Sequence, residues 1–197
     1  MPSDDHDARP ELLVLLSGGI DSSALVCLYR KLRRPFATMF IDYGQAGATR
    51  EQAAARVISE HYGVLLMERQ LLTAGVKSDG EVPMRNAMLL SIACMERPET
   101  IWGIAIGIHS GTPYADCSPE FASAAQTLAT FQTHPVRILA PFARWTKSDI
   151  LAFCLSEGVP THLTYSCEWG AASPCGKCLS CLDRKDIDAA SKVEARP

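Results

Sequence analysis

The chain has 197 residues, 47% hydrophobic and 21% charged, with a formal net charge of −3. That mix builds one cored domain with at most a small appendage, and it excludes a disordered chain, a collagen and a long coiled coil. The acidic balance argues against a protein that coats duplex nucleic acid. The longest unbroken aliphatic run, Leu12–Leu16, falls far short of the roughly 20 residues of a bilayer span. Met1–Arg9 is polar and acidic, with no apolar core of a signal peptide. The expectation is a cytoplasmic protein without a membrane partner.

Leu12–Leu16, closed by a glycine pair, reads as a strand buried on both faces. Residues 22–33 read as a helix with Ala24, Leu25, Leu28 and Leu32 on one stripe. A strand follows at 36–41, an alanine-rich helix at 49–62, a strand at 64–68 and a polar, glycine-containing loop at 71–82. A helix at 84–95 and a strand at 100–106 come next. Ser118-Pro119-Glu120 is a capping serine with proline at the first helical position, opening a helix to about residue 131. A fifth strand is expected at 136–139, and Thr146-Lys147-Ser148-Asp149 resembles a capping box opening a helix to about Glu157. Strands alternating with helices predict a parallel sheet with helices on both faces, a doubly wound α/β domain. Ligands then sit beyond the carboxyl ends of the strands, at loops 17–21, 42–48, 107–118 and 140–146. The expected division is a disordered tail at 1–10, the α/β domain at 11–160, a small cysteine-rich appendage at 161–190 and a disordered tail at 191–197.

The loop Ser17-Gly18-Gly19-Ile20-Asp21-Ser22-Ser23 joins the first strand to the first helix. Its glycines let backbone N–H groups converge near a helix N-terminus, and its three serines add donors, which together make a phosphate cradle. Asp21 would repel phosphate directly, so its role there is to hold a Mg²⁺ that bridges the phosphates. The Gly-Lys-Ser/Thr ending of a Walker loop is missing. The string resembles the SGG-x-D-S pyrophosphate loop of the ATP pyrophosphatase (PP-loop) superfamily. That resemblance implies an adenine nucleotide alpha hydrolase-like fold and cleavage of ATP to AMP and pyrophosphate.

Four of the eight cysteines, Cys167, Cys175, Cys178 and Cys181, lie within fifteen residues. Such spacing suits a closed, structural tetrahedral Zn²⁺ site; an iron–sulfur cluster and a pair of disulfides are the rivals. Cys27, Cys94 and Cys154 read as small core residues, and the role of Cys117 stays open.

Further strings extend the resemblance. Asp42-Tyr43-Gly44-Gln45, Arg50-Glu51, Val82-Pro83-Met84-Arg85-Asn86, the run from Tyr114 to Phe121, Pro141 with Thr146-Lys147, and the ending from Leu163 to Cys181 occur in order. Together they resemble the 7-cyano-7-deazaguanine synthase (QueC) family over roughly residues 12–188. The resemblance implies an ATP-dependent carbon–nitrogen ligase of queuosine biosynthesis. Such an enzyme adenylates 7-carboxy-7-deazaguanine, forms the amide with ammonia, and activates the amide with a second ATP to give the nitrile. It implies structural Zn²⁺, Mg²⁺ with ATP, and a homodimer. Catalytic roles fall to Asp21, Lys147 and Arg85. ATP contacts fall to Leu16, Ser17, Gly18, Gly19, Ile20, Asp21, Ser22, Ser23, Asp42 and Gln45. Substrate contacts fall to Tyr43, Arg85, Asn86, His109, Tyr114 and Asp116, the last as an acceptor for a purine-like edge. Asp42 reads equally well as a turn residue.

Several positions depart from the family pattern. Ser118 stands where arginine is common and Ala115 where proline is, while His109 replaces a small polar residue. Glu168-Trp169 replaces the usual residues after the first metal cysteine, and the loop Thr73–Val82 is short. Two alternatives therefore stay open. One is transfer of the activated deazaguanine to an amine, including one on a protein partner; the other is a PP-loop tRNA thiolase.

Overall fold

A computed structural model describes residues 9–71 and 82–185. The expected tails and the short loop 73–82 fall almost wholly outside that range. Five strands form one parallel sheet: β1 (Leu12–Leu15), β2 (Phe36–Asp42), β3 (Leu66–Gln70), β4 (Gly103–Ala105) and β5 (Arg137–Leu139), in the order β3-β2-β1-β4-β5. The register sets Leu12 beside both Phe36 and Gly103, so β1 lies at the centre. Five helices alternate with them: α1 (Ile20–Lys31), α2 (Ala48–Tyr62), α3 (Arg85–Glu96), α4 (Pro119–Leu128) and α5 (Lys147–Ser156). Among the described residues, no helix is long and apolar enough to cross a membrane.

Because successive strand side chains point to opposite faces, β1 feeds two cores. Leu12, Val14 and Leu16 pack with α1, α2 and α5, including Leu25, Ile58 and Ile150. Leu13 and Leu15 pack with α3 and α4, including Leu90, Ala93 and Ala125. The sheet is thus doubly wound: strands are added outward from β1 to β3 on one side, then to β4 and β5 on the other, so the winding reverses between β1 and β4. That switch point opens a crevice past the strand ends, and every loop discussed below reaches it.

Element ends shift by a few residues from expectation. Helix α1 begins at Ile20 rather than Ser22, because Gly19 is extended and Asp21 already occupies the first turn. Strand β4 is shorter than 100–106, since Ile101 N–H turns back to the Pro98 carbonyl at 3.0 Å. A 3-10 turn, Ala115–Cys117, precedes α4. Both caps expected from sequence form. Ser118 Oγ accepts from Phe121 N–H, and Thr146 and Asp149 make a reciprocal capping box.

Losing the first of these caps has a predictable cost. Ser118→Ala should lower unfolding free energy by about 0.5–2 kcal/mol, while Ser118→Asp, also a good cap, should lower it less. Urea denaturation of the two variants at unchanged m-value is the check.

Candidate active site and metal centre

The crevice holds a cavity of about 370 Å³, within the roughly 300–1,000 Å³ of small-molecule sites. The loop after β1 contributes Leu16, Ser17, Gly19, Ile20, Asp21 and Ser22 to its wall. Ser17 and Ser22 hydroxyls lie 3.1 Å apart, and Ser22 Oγ donates to the Gly19 carbonyl at 3.0 Å. Asp21 sits in the first turn of α1 and Lys147 in the first turn of α5. Lys147 Nζ meets Asp21 Oδ1 at 2.6 Å and lies 3.7 Å from Asp183 Oδ2. His109 Nε2 is 3.7 Å from Asp21 Oδ2, while its Nδ1 donates to the Ser110 carbonyl at 2.7 Å.

The opposite wall comes from the ends of β2, α3 and the loop after β4. Tyr43 and Gln45 follow β2; Gln45 Oε1 accepts from Tyr43 N–H at 2.9 Å and its Nε2 donates to Glu51 Oε2 at 2.8 Å. Burial pushes the Glu51 carboxyl up, and Arg85 partly offsets it. Burial likewise raises the Tyr43 hydroxyl, again opposed by Arg85. Met84 stands in the left-handed region at φ 60°, a turn that sets Arg85 and Asn86 at the head of α3. Tyr114 lines the same cavity, and so does the buried Cys117, whose thiol burial pushes up. Asn86 Nδ2 donates to the Asp116 carbonyl at 2.9 Å and to Cys117 Sγ at 3.6 Å.

Four residues expected at the site lie behind it. Gly18 does not line the cavity. It has φ +80°, and a Cβ there would fall 2.4 Å from the Glu51 carbonyl oxygen, so this glycine lets the loop press against α2. Ser23 is fully buried and donates to the Gly19 carbonyl at 2.7 Å. Asp42 takes the turn role, accepting from Gly44 N–H at 2.9 Å and Gln70 Nε2 at 3.2 Å. Asp116 does not line the cavity. Its Oδ2 accepts Asn86 N–H at 3.1 Å, satisfying the start of α3.

The cysteine-rich segment is less of an appendage than its sequence suggests. Tyr165 N–H donates to the Gly18 carbonyl at 2.9 Å. Gly170, at φ +65°, approaches the loop after β2 so closely that a Cβ would sit 2.0 Å from the Ala46 oxygen. The segment therefore supplies cavity wall: Tyr165, Ser166, Glu168, Leu179, Ser180 and Asp183. Sequence reasoning did not place Glu51, Glu168, Ser180 or Asp183 in the site. The helix-opening acid and the odd residue after Cys167 were the signals available.

The Sγ atoms of Cys167, Cys175, Cys178 and Cys181 all lie within 4.8 Å of one another. Cys175 and Cys181 sulfurs are 3.9 Å apart, close to the roughly 3.8 Å edge of a tetrahedron with ~2.3 Å Zn–S bonds. Backbone N–H groups of Lys177 and Cys178 donate to Cys175 Sγ at 3.4 and 3.3 Å, and those bonds push its thiol down to about 6. Donor set and spacing fit a closed tetrahedral metal ion.

The family described as Queuosine biosynthesis protein QueC matches residues 67–190, and the Asparagine synthase family matches residues 5–75. The 7-cyano-7-deazaguanine synthase of Aquifex aeolicus (strain VF5) is 34% identical, over 92% of this chain and 96% of that one. The enzyme of the same name from Sulfurihydrogenibium sp. (strain YO3AOP1) is 31% identical, over 90% and 94%. Among solved structures, an NMN synthetase from Francisella tularensis aligns at TM-score 0.46 and 13% identity, over 93% of this chain and 78% of that one. A QueC match across well over half the chain, with relatives above 30% identity along nearly its whole length, makes this chain a member of the QueC family.

Proposed function

We propose that the chain converts 7-carboxy-7-deazaguanine to 7-cyano-7-deazaguanine with ammonia, using two ATP. The observation that carries this is the end-to-end match to relatives named for that synthase, with the pyrophosphate loop and Lys147 converging on one cavity. A carboxylate oxygen attacks the α-phosphorus of ATP and pyrophosphate leaves. Ammonia attacks the acyl carbon, AMP leaves and a proton is lost, giving the amide. The amide oxygen then attacks the α-phosphorus of a second ATP and pyrophosphate leaves; loss of AMP and two protons from the adenylated amide gives the nitrile.

The residues divide this work by chemistry. Leu15, Leu16 and Ile41 offer an apolar slot for adenine, with Gln45 beside it. Ser17, Ser22 and the N–H groups at the start of α1 face the phosphates, where the helix dipole favours negative charge. Lys147, at the start of α5, holds a phosphate oxygen and stabilises the charge that builds as pyrophosphate leaves. Asp21 is the carboxylate for Mg²⁺, which when bound would neutralise phosphate charge. Arg85 pairs with the substrate carboxylate, and Tyr43, Asn86 and Tyr114 hold the rest of the purine. His109 lines the same cavity, with Nε2 3.7 Å from Asp21, as a further substrate contact. The four cysteines would hold a structural Zn²⁺ that fixes the segment walling the cavity.

We place the enzyme in the cytoplasm, where clustered thiols stay reduced and free for metal; no cysteine among the described residues is in a disulfide. The homodimer implied by the family resemblance has a candidate face in Leu128 and Phe131, exposed to 68% and 83%.

Three results test this reading. Incubation with ATP, Mg²⁺, 7-carboxy-7-deazaguanine and ammonia should give a product one water lighter than the amide, by mass spectrometry. Accumulation of amide alone, or a conjugate to another amine, would contradict it. Asp21→Ala should abolish pyrophosphate release and Lys147→Met should slow it about 10²- to 10³-fold, both with unchanged circular dichroism; near-wild-type turnover would show the loop is misassigned. Purified protein should carry one zinc per chain. Cys178→Ser should lose it and lower the unfolding midpoint by roughly 2–4 °C for each kcal/mol lost. Iron with sulfide absorbance, or no metal, would overturn the zinc assignment.

A further inference from the structure

We infer that Glu168 is the acceptor that reads the two adjacent N–H donors of the substrate's 2-aminopyrimidinone edge, an inference that rests on the activity proposed above. Four carboxylates line the cavity: Asp21, Glu51, Asp183 and Glu168. Three of them already face a cation. Asp21 and Asp183 share Lys147, at 2.6 and 3.7 Å. Glu51 is bonded by Gln45 and feels the charge of Arg85. Among the described residues, Glu168 is held by neutral donors alone. Its Oε1 accepts Ser180 N–H at 3.1 Å and Ser180 Oγ–H at 2.7 Å.

That arrangement selects a ligand chemistry. A carboxylate is acceptor-only, and two neutral donors on one oxygen leave the other with its lone pairs. A phosphate would be repelled. Adenine carries N–H donors on a single exocyclic amino group, whereas the 7-deazaguanine edge presents N1–H and N2–H side by side, a match for a carboxylate. Placement is also fixed. Glu168 directly follows Cys167, and two residues on, Gly170 is seated against Ala46. The carboxylate thus rides on a segment held at both the metal cluster and the loop after β2, as a specificity contact requires. This accounts for a charged residue where the family pattern has another. It also moves the purine-edge role from Asp116, which is spent on α3, to the opposite wall.

The test compares kcat/KM for 7-carboxy-7-deazaguanine with that for 7-carboxy-7-deazahypoxanthine, which lacks the 2-amino group, by pyrophosphate release. Wild type should prefer the amino compound by about 10- to 100-fold. Glu168→Gln keeps the Ser180 bonds through its carbonyl and turns the second oxygen into an N–H donor. It should lose that preference through KM, with KM for ATP and bound metal unchanged. An intact preference in Glu168→Gln, or a shift confined to the KM for ATP, would overturn the inference alone. Equal kcat/KM for the two compounds in wild type would do the same, whatever the variant's fold. A wild-type protein that acts on neither compound would overturn the activity reading and this inference with it.

Discussion

Four sulfurs within 4.8 Å of one another repel strongly as thiolates, and a segment this short has little core of its own to hold them as thiols. Among the described residues, its own buried cluster is Cys167, Cys178 and Cys181, with Tyr165, Ala171 and Cys175 packed against them. A divalent cation held there would remove the repulsion and supply the missing cohesion. Much of the site follows from that constraint. The same segment bonds the Gly18 carbonyl through Tyr165 N–H, presses Gly170 against Ala46 and turns Glu168, Ser180 and Asp183 toward the cavity. The cysteine cluster, pyrophosphate loop and cavity wall are thereby joined in one site.

Charge is balanced across that unit before any ligand arrives. Lys147 stands between Asp21 on the pyrophosphate loop and Asp183 on the metal-held segment. Its side chain and that of Asp21 stay 26% and 28% exposed, so a ligand entering the cavity reaches the pair and can exchange with it. Phosphate oxygens offer Lys147 more negative charge than a single carboxylate, and a bridging cation would take over Asp21. On the other wall, Arg85 offsets the cost of burying Glu51 and Tyr43.

The doubly wound sheet was legible because β1 and β2 are buried on both faces, β1 as an unbroken apolar run and β2 as one interrupted only by Thr38 before its terminal Asp42, while Gly, Ser and Pro mark their ends. Both caps were legible for the same local reason: Ser118 and Thr146 bond N–H groups only three residues on. The pyrophosphate loop and the four cysteines are contiguous or closely spaced, so their chemistry shows in the string itself. Roles that depend on tertiary contact did not show. Asp116 looks like a ligand in sequence, but it satisfies the start of α3 through Asn86, 30 residues away, whereas the turn role of Asp42 was legible because its bond is to Gly44, two residues on. Glu51 and Asp183 look like solvated helix charges. They reach the cavity only because Gly18 packs against α2 and the metal-held segment folds back over the loops.

The claim that metal-held segment and cavity form one site is tested most directly by ligand affinity against metal content. Calorimetric titration of 7-carboxy-7-deazaguanine with a non-hydrolysable ATP analogue, into protein stripped stepwise by a chelator and then refilled with zinc, would measure it. The account predicts that bound-ligand stoichiometry falls in proportion to metal removed and returns with zinc, while the circular dichroism of the α/β core stays constant. Unchanged affinity and stoichiometry in fully stripped protein would contradict it, and would reduce the cysteine segment to the separate appendage its sequence suggests.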